Sequence, residues 1–187
     1  MNKELLYRLE SQNIYFKRLA AEDAEHIHSF ASDTDVSRFI GWRLMNTLDD
    51  TRKHVEEMLQ NEKAGTHQYA SVVLKASGEI IGTAIIFNFD WEARHAEIGY
   101  VFDKNHWGRS YGTQTVTMMS RFAFDALDLH RLHALVADAN AASARVLEKN
   151  GFELEGRLRD HYFIENKYYD GLIFGKLQAG PGSRGLE

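Results

Sequence analysis

The chain has 187 residues, of which 44% are hydrophobic and 26% charged, a composition that excludes a disordered, collagen-like or low-complexity protein. It contains no cysteine, which excludes disulfides, thiolate metal sites and a thiol nucleophile. The net charge of −5 argues against a broad nucleic-acid-binding surface and is compatible with a cationic partner such as an amine.

The hydropathy pattern gives no sign of a membrane segment. No apolar run reaches the length of about 20 residues that a spanning helix needs, and residues 1–6 lack the apolar region of a signal peptide. We therefore expect a cytoplasmic protein with no membrane partner. Residues 1–178 are expected to form one domain, and the glycine-rich residues 179–187 are expected to be a flexible tail or a cloning remnant.

The first half of the chain predicts one strand, two helices and then three further strands. Runs rich in β-branched and aromatic residues predict the strands, and apolar residues at three- and four-residue spacing predict the helices. The strands are expected at 14–19, 69–74, 80–89 and 94–102, and the helices at 22–31 and from about Thr47 to Gly65. The last three strands follow one another through short polar breaks, which predicts an antiparallel meander.

The second half alternates between the two periodicities. A helix is expected at 113–127, a short buried strand at 132–137, a helix from the N-cap Asn140 to Gly151, and two final strands at 154–164 and 167–177. A helix that crosses between the fourth and fifth strands requires these two strands to be parallel. The sequence therefore predicts an α/β domain with a mixed sheet.

A short loop lies between the fourth strand and the helix that follows it. It consists of Trp107, Gly108, Arg109, Ser110, Tyr111, Gly112 and Thr113. Small residues at a helix start let main-chain N–H groups approach an anion, which favours phosphate binding, although such a turn is often only a connection. No Gly-Lys-Ser/Thr follows, as a Walker loop requires, and the loop comes after four strands instead of opening the fold as a Rossmann fingerprint does.

Three segments in this order resemble the GNAT superfamily of N-acetyltransferases. They are residues 94–100, with the sequence RHAEIGY, the loop at 107–113, and residues 140–152, with the sequence NAASARVLEKNGF. The likeness covers about residues 14–177 and is strongest to the RimJ/RimL-like branch, which contains the ribosomal-protein N-terminal acetyltransferases. It implies the acyl-CoA N-acyltransferase fold, with a mixed, mostly antiparallel sheet of about seven strands flanked by about four helices.

The resemblance further implies acetyl-CoA as co-substrate. The family's loop has the form Arg/Gln-x-x-Gly-x-Gly/Ala, so Ser110 departs from the pattern at the middle glycine while Gly112 keeps the last one. A left-handed conformation at a serine would cost about 1 kcal/mol, whereas a right-handed first turn would not.

The same likeness assigns the remaining cofactor contacts. The fourth strand is expected to separate from the fifth after a bulge, so that main-chain groups near Val101 and Phe102 pair with the pantetheine arm. The implied cofactor-binding residues are Val101, Phe102, Trp107, Gly108, Arg109, Ser110, Tyr111, Gly112, Thr113, Asn140 and Lys149.

Three residues are candidates for the chemistry. Strand alternation places Glu97 among uncharged neighbours, where it would act as the base; a lysine or arginine partner at the sheet rim is the alternative. The family pattern suggests Ser143 as the general acid that protonates the leaving thiolate. Asn140 is expected to contact the pantetheine amide, although its role as N-cap alone also explains an asparagine there.

The acceptor side is less defined. Trp42 and Tyr162 are expected to line the acceptor pocket together with Glu97, and Tyr162 is a second candidate proton donor. The positions of the nine histidines do not predict a metal site, because neighbouring pairs such as His26 and His28 point in different directions.

The predicted function is transfer of an acetyl group from acetyl-CoA to a primary amine. An α-amine with a pKa near 8 is about 10% neutral at pH 7 and a lysine amine less than about 0.1%, which favours the N-terminus of a protein or peptide. A small-molecule acetyltransferase acting on a polyamine, antibiotic or amino acid remains an alternative, as does a non-catalytic acyl-CoA-binding module. No direct nucleic-acid partner is expected, and a homodimer is compatible with the sequence.

Overall fold

The computed structural model of the chain describes residues 3–40 and 43–179. Trp42, which was expected in the acceptor pocket, lies outside the described residues. Of the expected tail, residue 179 alone falls within them.

A seven-stranded sheet with the order β1-β2-β3-β4-β5-β7-β6 crosses the part of the chain that the structure describes. The strands are β1 (Ile14–Lys17), β2 (Gln68–Leu74), β3 (Ile80–Asp90), β4 (His95–Phe102), β5 (Arg131–Ala137), β6 (Glu153–Ile164) and β7 (Lys167–Leu177). The pair β4–β5 is parallel and the other neighbours are antiparallel. The mixed, mostly antiparallel sheet that the sequence predicts is confirmed.

Helices cover both faces of this sheet. The α-helices in the described ranges are α1 (Ala24–Ala31), α2 (Thr34–Ser37), α3 (Leu48–Lys63), α4 (Tyr111–Arg121) and α5 (Ala141–Lys149). Short 3₁₀ turns occupy Lys3–Arg8, Ala21–Asp23 and Lys104–His106. No helix within residues 3–40 and 43–179 combines the length and apolarity needed to cross a membrane.

Side-chain caps fix where two of these helices begin. Thr47 accepts from the N–H of Asp50 at 3.1 Å, and the Asp50 carboxylate accepts from the N–H of Thr47 at 3.0 Å, which forms a capping box. Asn140 accepts from the N–H of Ser143 at 3.2 Å. Gly151 follows α5 with a φ of +74°, as a left-handed C′ position requires. The predicted caps of both helices are confirmed.

The predicted helix at 113–127 is present, but its start and its last part differ from the prediction. It begins earlier, at Tyr111, and its last part, Phe122–Ala126, is a π-helical turn. Phe122 and Ala123 of this turn are both buried in the core. Strand and helix limits elsewhere differ from prediction by a few residues; the first strand, for example, ends at Lys17 instead of residue 19.

Two apolar clusters lie on opposite faces of the sheet. One contains Val116 of α4 and Leu147 of α5, and the other contains Ile27 of α1 and Val55 of α3. Alternate residues of β4 belong to different clusters, with Ile98 and Phe102 in the first and Val101 in the second. Glu97 therefore lies on the face covered by α1 and α3, as the alternation in the sequence predicts.

Candidate active site

The parallel strands β4 and β5 pair over only three residues. His95, Ala96 and Glu97 face Arg131, Leu132 and His133, and no pairing follows, although β4 continues to Phe102 and β5 to Ala137. The strands thus separate beyond Glu97, as the family resemblance implies. The resemblance implies a bulge near this separation. The structure has an irregularity in the pairing of β4 with β3, where the register shifts between Phe87 and Asp90.

The unpaired edge of β4 leads to the loop at 107–113. The indole Nε1 of Trp107 donates to the carbonyl of Phe102 at 3.0 Å, which ties the start of the loop to the end of β4. The carbonyl of Phe102, which was expected to pair with the pantetheine arm, thus accepts a hydrogen bond from within the protein. Val101 and Phe102 are both buried at this end of the strand.

The loop turns by means of two left-handed residues. Gly108 has a φ of +74°, and Ser110, the N-cap of α4, has a φ of 63° and a ψ of 13°. Ser110 therefore adopts the left-handed conformation and not a right-handed first turn, at a cost of about 1 kcal/mol.

Main-chain donors accumulate in this loop. The N–H of Trp107 bonds to the carbonyl of Lys104, but the next six N–H groups, at 108–113, find no acceptor among residues 3–40 and 43–179. Successive free N–H groups at a helix N-terminus form an anion-binding site because the helix dipole adds to their partial charges.

The first turn of α4 packs closely on α5. A Cβ built at Gly112 would lie 3.3 Å from Cγ2 of Val146, so a larger residue would push the two helices apart. Thr113 follows in the same turn. Arg109 and Lys149 are both exposed, and no hydrogen bond or ion pair in the described part of the chain joins Lys149 to the loop.

A cavity of about 390 Å³ passes through the sheet where β4 and β5 separate. Its wall on the α5 side includes Asn140, Ser143 and Leu147, and its wall on the α1–α3 side includes His54 and Met58. The other lining residues are Phe39, Ile40, Tyr69, Thr83, Ile85, Phe87, Glu97, Ile98, Gly99, Tyr100, Val101, Ala134, Leu135, Val136 and Tyr162. The cavity therefore joins the two faces of the sheet.

Glu97 lies in this cavity with two polar neighbours. Asn88 donates from Nδ2 to its Oε2 at 2.8 Å, and the Nε2 of His133 lies 3.7 Å from the same oxygen. The Glu97 side chain is 19% exposed. No lysine or arginine of residues 3–40 and 43–179 forms an ion pair with it, so the rim salt bridge considered as an alternative is absent there.

Tyr162 of β6 lies near the same carboxylate. Burial raises the pKa of its phenol, and the negative charge of Glu97 raises it further. The phenol is therefore protonated at neutral pH and is able to donate a proton.

Asn140, Ser143 and Tyr100 meet at the start of α5. The Oδ1 of Asn140 is used by the cap, which leaves its Nδ2 available to a ligand. The hydroxyl of Tyr100 donates to the carbonyl of Ser143 at 3.4 Å, and burial raises the pKa of Tyr100 to about 12. This tyrosine thus positions the first turn of α5 from β4.

Sequence reasoning missed three residues of this site: Asn88, Tyr100 and His133. Tyr100 belongs to the 94–100 segment, and the alternation of a strand puts it on the face opposite to Glu97. His133 faces Glu97 only through the register of β4 with β5, and Asn88 only through an irregular position with a φ of 51°. No local signal in the sequence specifies either.

Residues 13–153 match the family described as "Acetyltransferase (GNAT) domain". The chain belongs to the GNAT acetyltransferase family. This confirms the resemblance seen in the three sequence segments and the fold that it implies. Within residues 3–40 and 43–179 there is no cluster of three or more histidine, aspartate or glutamate side chains able to hold a metal ion.

Known GNAT proteins resemble the chain over most of its length. "Probable N-acetyltransferase YjcK" of Bacillus subtilis is 30% identical over 167 residues, covering 87% of this chain and 92% of the relative. RimL, a ribosomal α-N-protein acetyltransferase solved with coenzyme A, superposes with a TM-score of 0.79 at 19% identity, covering 89% of this chain and 95% of RimL.

A second similar structure is that of an acetyltransferase named for a different acceptor. Spermidine N-acetyltransferase from Vibrio cholerae, solved with CoA and spermine, has a TM-score of 0.79 at 20% identity, covering 88% of this chain and 95% of its own. At these identities the likeness shows the shared fold.

Proposed function

We propose that this GNAT protein transfers the acetyl group of acetyl-CoA to the α-amine of a protein or peptide. The observation that carries the proposal is the cavity through the sheet, which is lined by Ser143 on the α5 side and by Glu97 on the face covered by α1 and α3. A transferase needs such a passage because the thioester and the amine approach from opposite sides.

The residues on the α4–α5 side suit acetyl-CoA. The free N–H groups at 108–113 match the charge of a diphosphate, and the separated edge of β4 offers main-chain groups to the amides of pantetheine. The Nδ2 of Asn140 and the hydroxyl of Ser143 lie where this arm would enter the cavity. Acetyl-CoA supplies the thioester, which is an activated acyl group.

One residue on each side of the sheet moves a proton, Glu97 on the acceptor side and Ser143 on the cofactor side. The neutral acceptor nitrogen forms a bond to the thioester carbonyl carbon, and the carbon–sulfur bond breaks. Glu97 takes the proton that nitrogen loses, and Ser143 gives a proton to the departing sulfur and regains one from water. Main-chain N–H groups on the unpaired edge of β4 stabilise the negative oxygen that forms during the attack.

The charges of the cavity favour a single amine. Among the described residues that line it, Glu97 is the sole carboxylate, and there is no lysine or arginine. A polyamine or an aminoglycoside would bury a second ammonium without a partner, which costs several kcal/mol. A free amino acid would bring a carboxylate with no cation to receive it, because burial lowers the pKa of His54 and keeps it neutral.

Release of free CoA thiol tests the proposal. Purified protein is mixed with acetyl-CoA and one of four acceptors: a short peptide with a free N-terminus, the same peptide with a blocked N-terminus, spermidine, or an aminoglycoside. The free peptide is expected to release thiol at the highest rate, and the blocked peptide at the background rate. Faster release with spermidine would favour the small-molecule alternative, and acetyl-CoA binding without release for any acceptor would favour the non-catalytic module.

A further inference from the structure

The part of the cavity on the α1–α3 side of the sheet, here called the acceptor arm, has an apolar wall that is partly exposed. On β3, the residues from Ile80 to Ala84 are buried and so is Ile86, but Ile85 and Phe87 keep part of their surface accessible. Both line the cavity, and one face of the Phe87 ring is stacked on His67, with the ring centroids 5.8 Å apart. Apolar surface in contact with water is unfavourable and gains free energy when a ligand covers it.

This wall lies directly beside the proposed base. Phe87 faces Glu97 in the β3–β4 register, and Ile85 faces Gly99. Gly99 lets the Ile85 side chain lie close against β4, since a Cβ at position 99 would lie only 3.0 Å from Cγ2 of Ile85. A nitrogen bound to Glu97 therefore places the substituent on its α-carbon against Phe87 and Ile85.

The opposite wall of the arm is of the same character. Met58 of α3 and Tyr69 of β2 are buried at its base, and Phe39 and Ile40 are half-buried at its side. The polar groups on this wall are the hydroxyl of Tyr69 and the imidazole of His54, and burial keeps His54 uncharged by lowering its pKa.

We infer that the acceptor peptide begins with an apolar residue of about the size of leucine or methionine, an inference that rests on the proposed function. A first residue such as serine leaves the wall wet, and a charged first residue buries its charge among Ile85, Phe87 and Met58. Apolar pockets distinguish ligands by about 10- to 200-fold per methylene-sized difference.

The test compares short peptides that are identical except for the first residue, which is leucine, serine or lysine. The ratio of kcat/KM for the leucine peptide to that for the serine peptide is expected to be about tenfold or more in the wild-type protein, with the lysine peptide lowest. A serine or lysine peptide that equals or exceeds the leucine peptide would overturn the inference. In that case the proposed function still stands, whereas acetylation of spermidine and of no peptide would remove the proposed function itself.

A pair of variants ties the preference to the wall. Phe87→Ala is expected to lower the leucine-to-serine ratio about threefold or more, and Ile85→Ala gives a second reading if the first variant is unstable. Phe89→Ala is the matched control, since Phe89 is on the same strand but packs against the other cluster. Equal ratios in the wild type, Phe87→Ala and Ile85→Ala would contradict the inference.

Discussion

Glu97 and His133 face each other at the last pair of the parallel strands β4 and β5, with 3.7 Å between Oε2 and Nε2. Immediately beyond them the strands separate and the cavity begins. The end of the β4–β5 pairing thus places the proposed base, Glu97, where the cavity begins. Rigid strand positions hold catalytic groups more precisely than loops do.

Replacement of the base gives the first prediction. Glu97→Gln keeps the shape of the side chain but removes its ability to take a proton. We expect kcat to fall by about 10²- to 10⁴-fold, while the Kd of acetyl-CoA changes by less than about twofold. Steady-state rates and calorimetry measure the two quantities. Glu153→Gln, at an exposed position of β6, is the control; an equal fall in kcat in both variants would remove Glu97 from the mechanism.

The stability of the protein should fall on acidification, and His133 should contribute. Burial lowers the pKa of His133 below its usual 6.5, and repulsion from His95 and Arg131 lowers it further. Attraction to Glu97 and Glu155 opposes the shift. The folded state then binds fewer protons than the unfolded state, so this contribution is complete above pH 6.5 and is lost as the pH falls through the lowered pKa.

His133→Asn tests this pH dependence. Midpoints of urea unfolding are measured at several pH values between about 7.5 and 5, and the decline should be shallower in the variant than in the wild type. His26→Asn, on an exposed position of α1, is the surface control. Parallel declines in the wild type and His133→Asn would contradict the prediction.

Local signals explain what the sequence predicts well. Thr47 with Asp50 at the start of α3, and Gly65 with a φ of +78° after its end, are a capping box and a stop signal that operate within a few residues. Asn140 and Gly151 do the same for α5. Such features depend on neighbours in the chain, so the sequence contains them fully.

Features that depend on distant residues escape prediction. The π-helical turn Phe122–Ala126 interrupts an apolar pattern that reads as one continuous helix, and the four-residue α2 is too short to show a period. The neighbours of Glu97 follow from the register of three strands, which no local pattern specifies. The left-handed conformation of Ser110 also escapes prediction, because a serine adopts this region only when its surroundings require it.

The packing of α4 on α5 gives a prediction for cofactor binding. Gly112→Val places atoms against Val146, which a Cβ at 112 would already approach to 3.3 Å. The first turn of α4 must then shift, and its free N–H groups with it. Hydrogen bonds to charged groups contribute about 1.5–3 kcal/mol each, so the Kd of acetyl-CoA should rise about tenfold or more.

Calorimetric titration with acetyl-CoA measures this effect. The control is Gly156→Val on β6, where an added Cβ meets its nearest neighbour, Ile173, at an ordinary 3.7 Å. Thermal unfolding of both variants separates a local change from a general loss of structure. An unchanged Kd in a folded Gly112→Val protein would show that the loop does not hold the diphosphate.

The two candidate proton donors should differ in which kinetic constant they change. Ser143 lies at the start of α5, on the side where the free N–H groups would place the thioester, so Ser143→Ala should lower kcat about tenfold or more while leaving the KM of the acceptor within about twofold.

Tyr162 lies on the acceptor side, close enough to Glu97 for that carboxylate to raise its pKa. Tyr162→Phe should therefore raise the KM of the acceptor more than it lowers kcat. Tyr168→Phe, at a position 59% exposed on β7, controls for loss of a surface hydroxyl. If Tyr162→Phe lowers kcat and Ser143→Ala does not, the phenol, rather than the serine hydroxyl, protonates the departing sulfur.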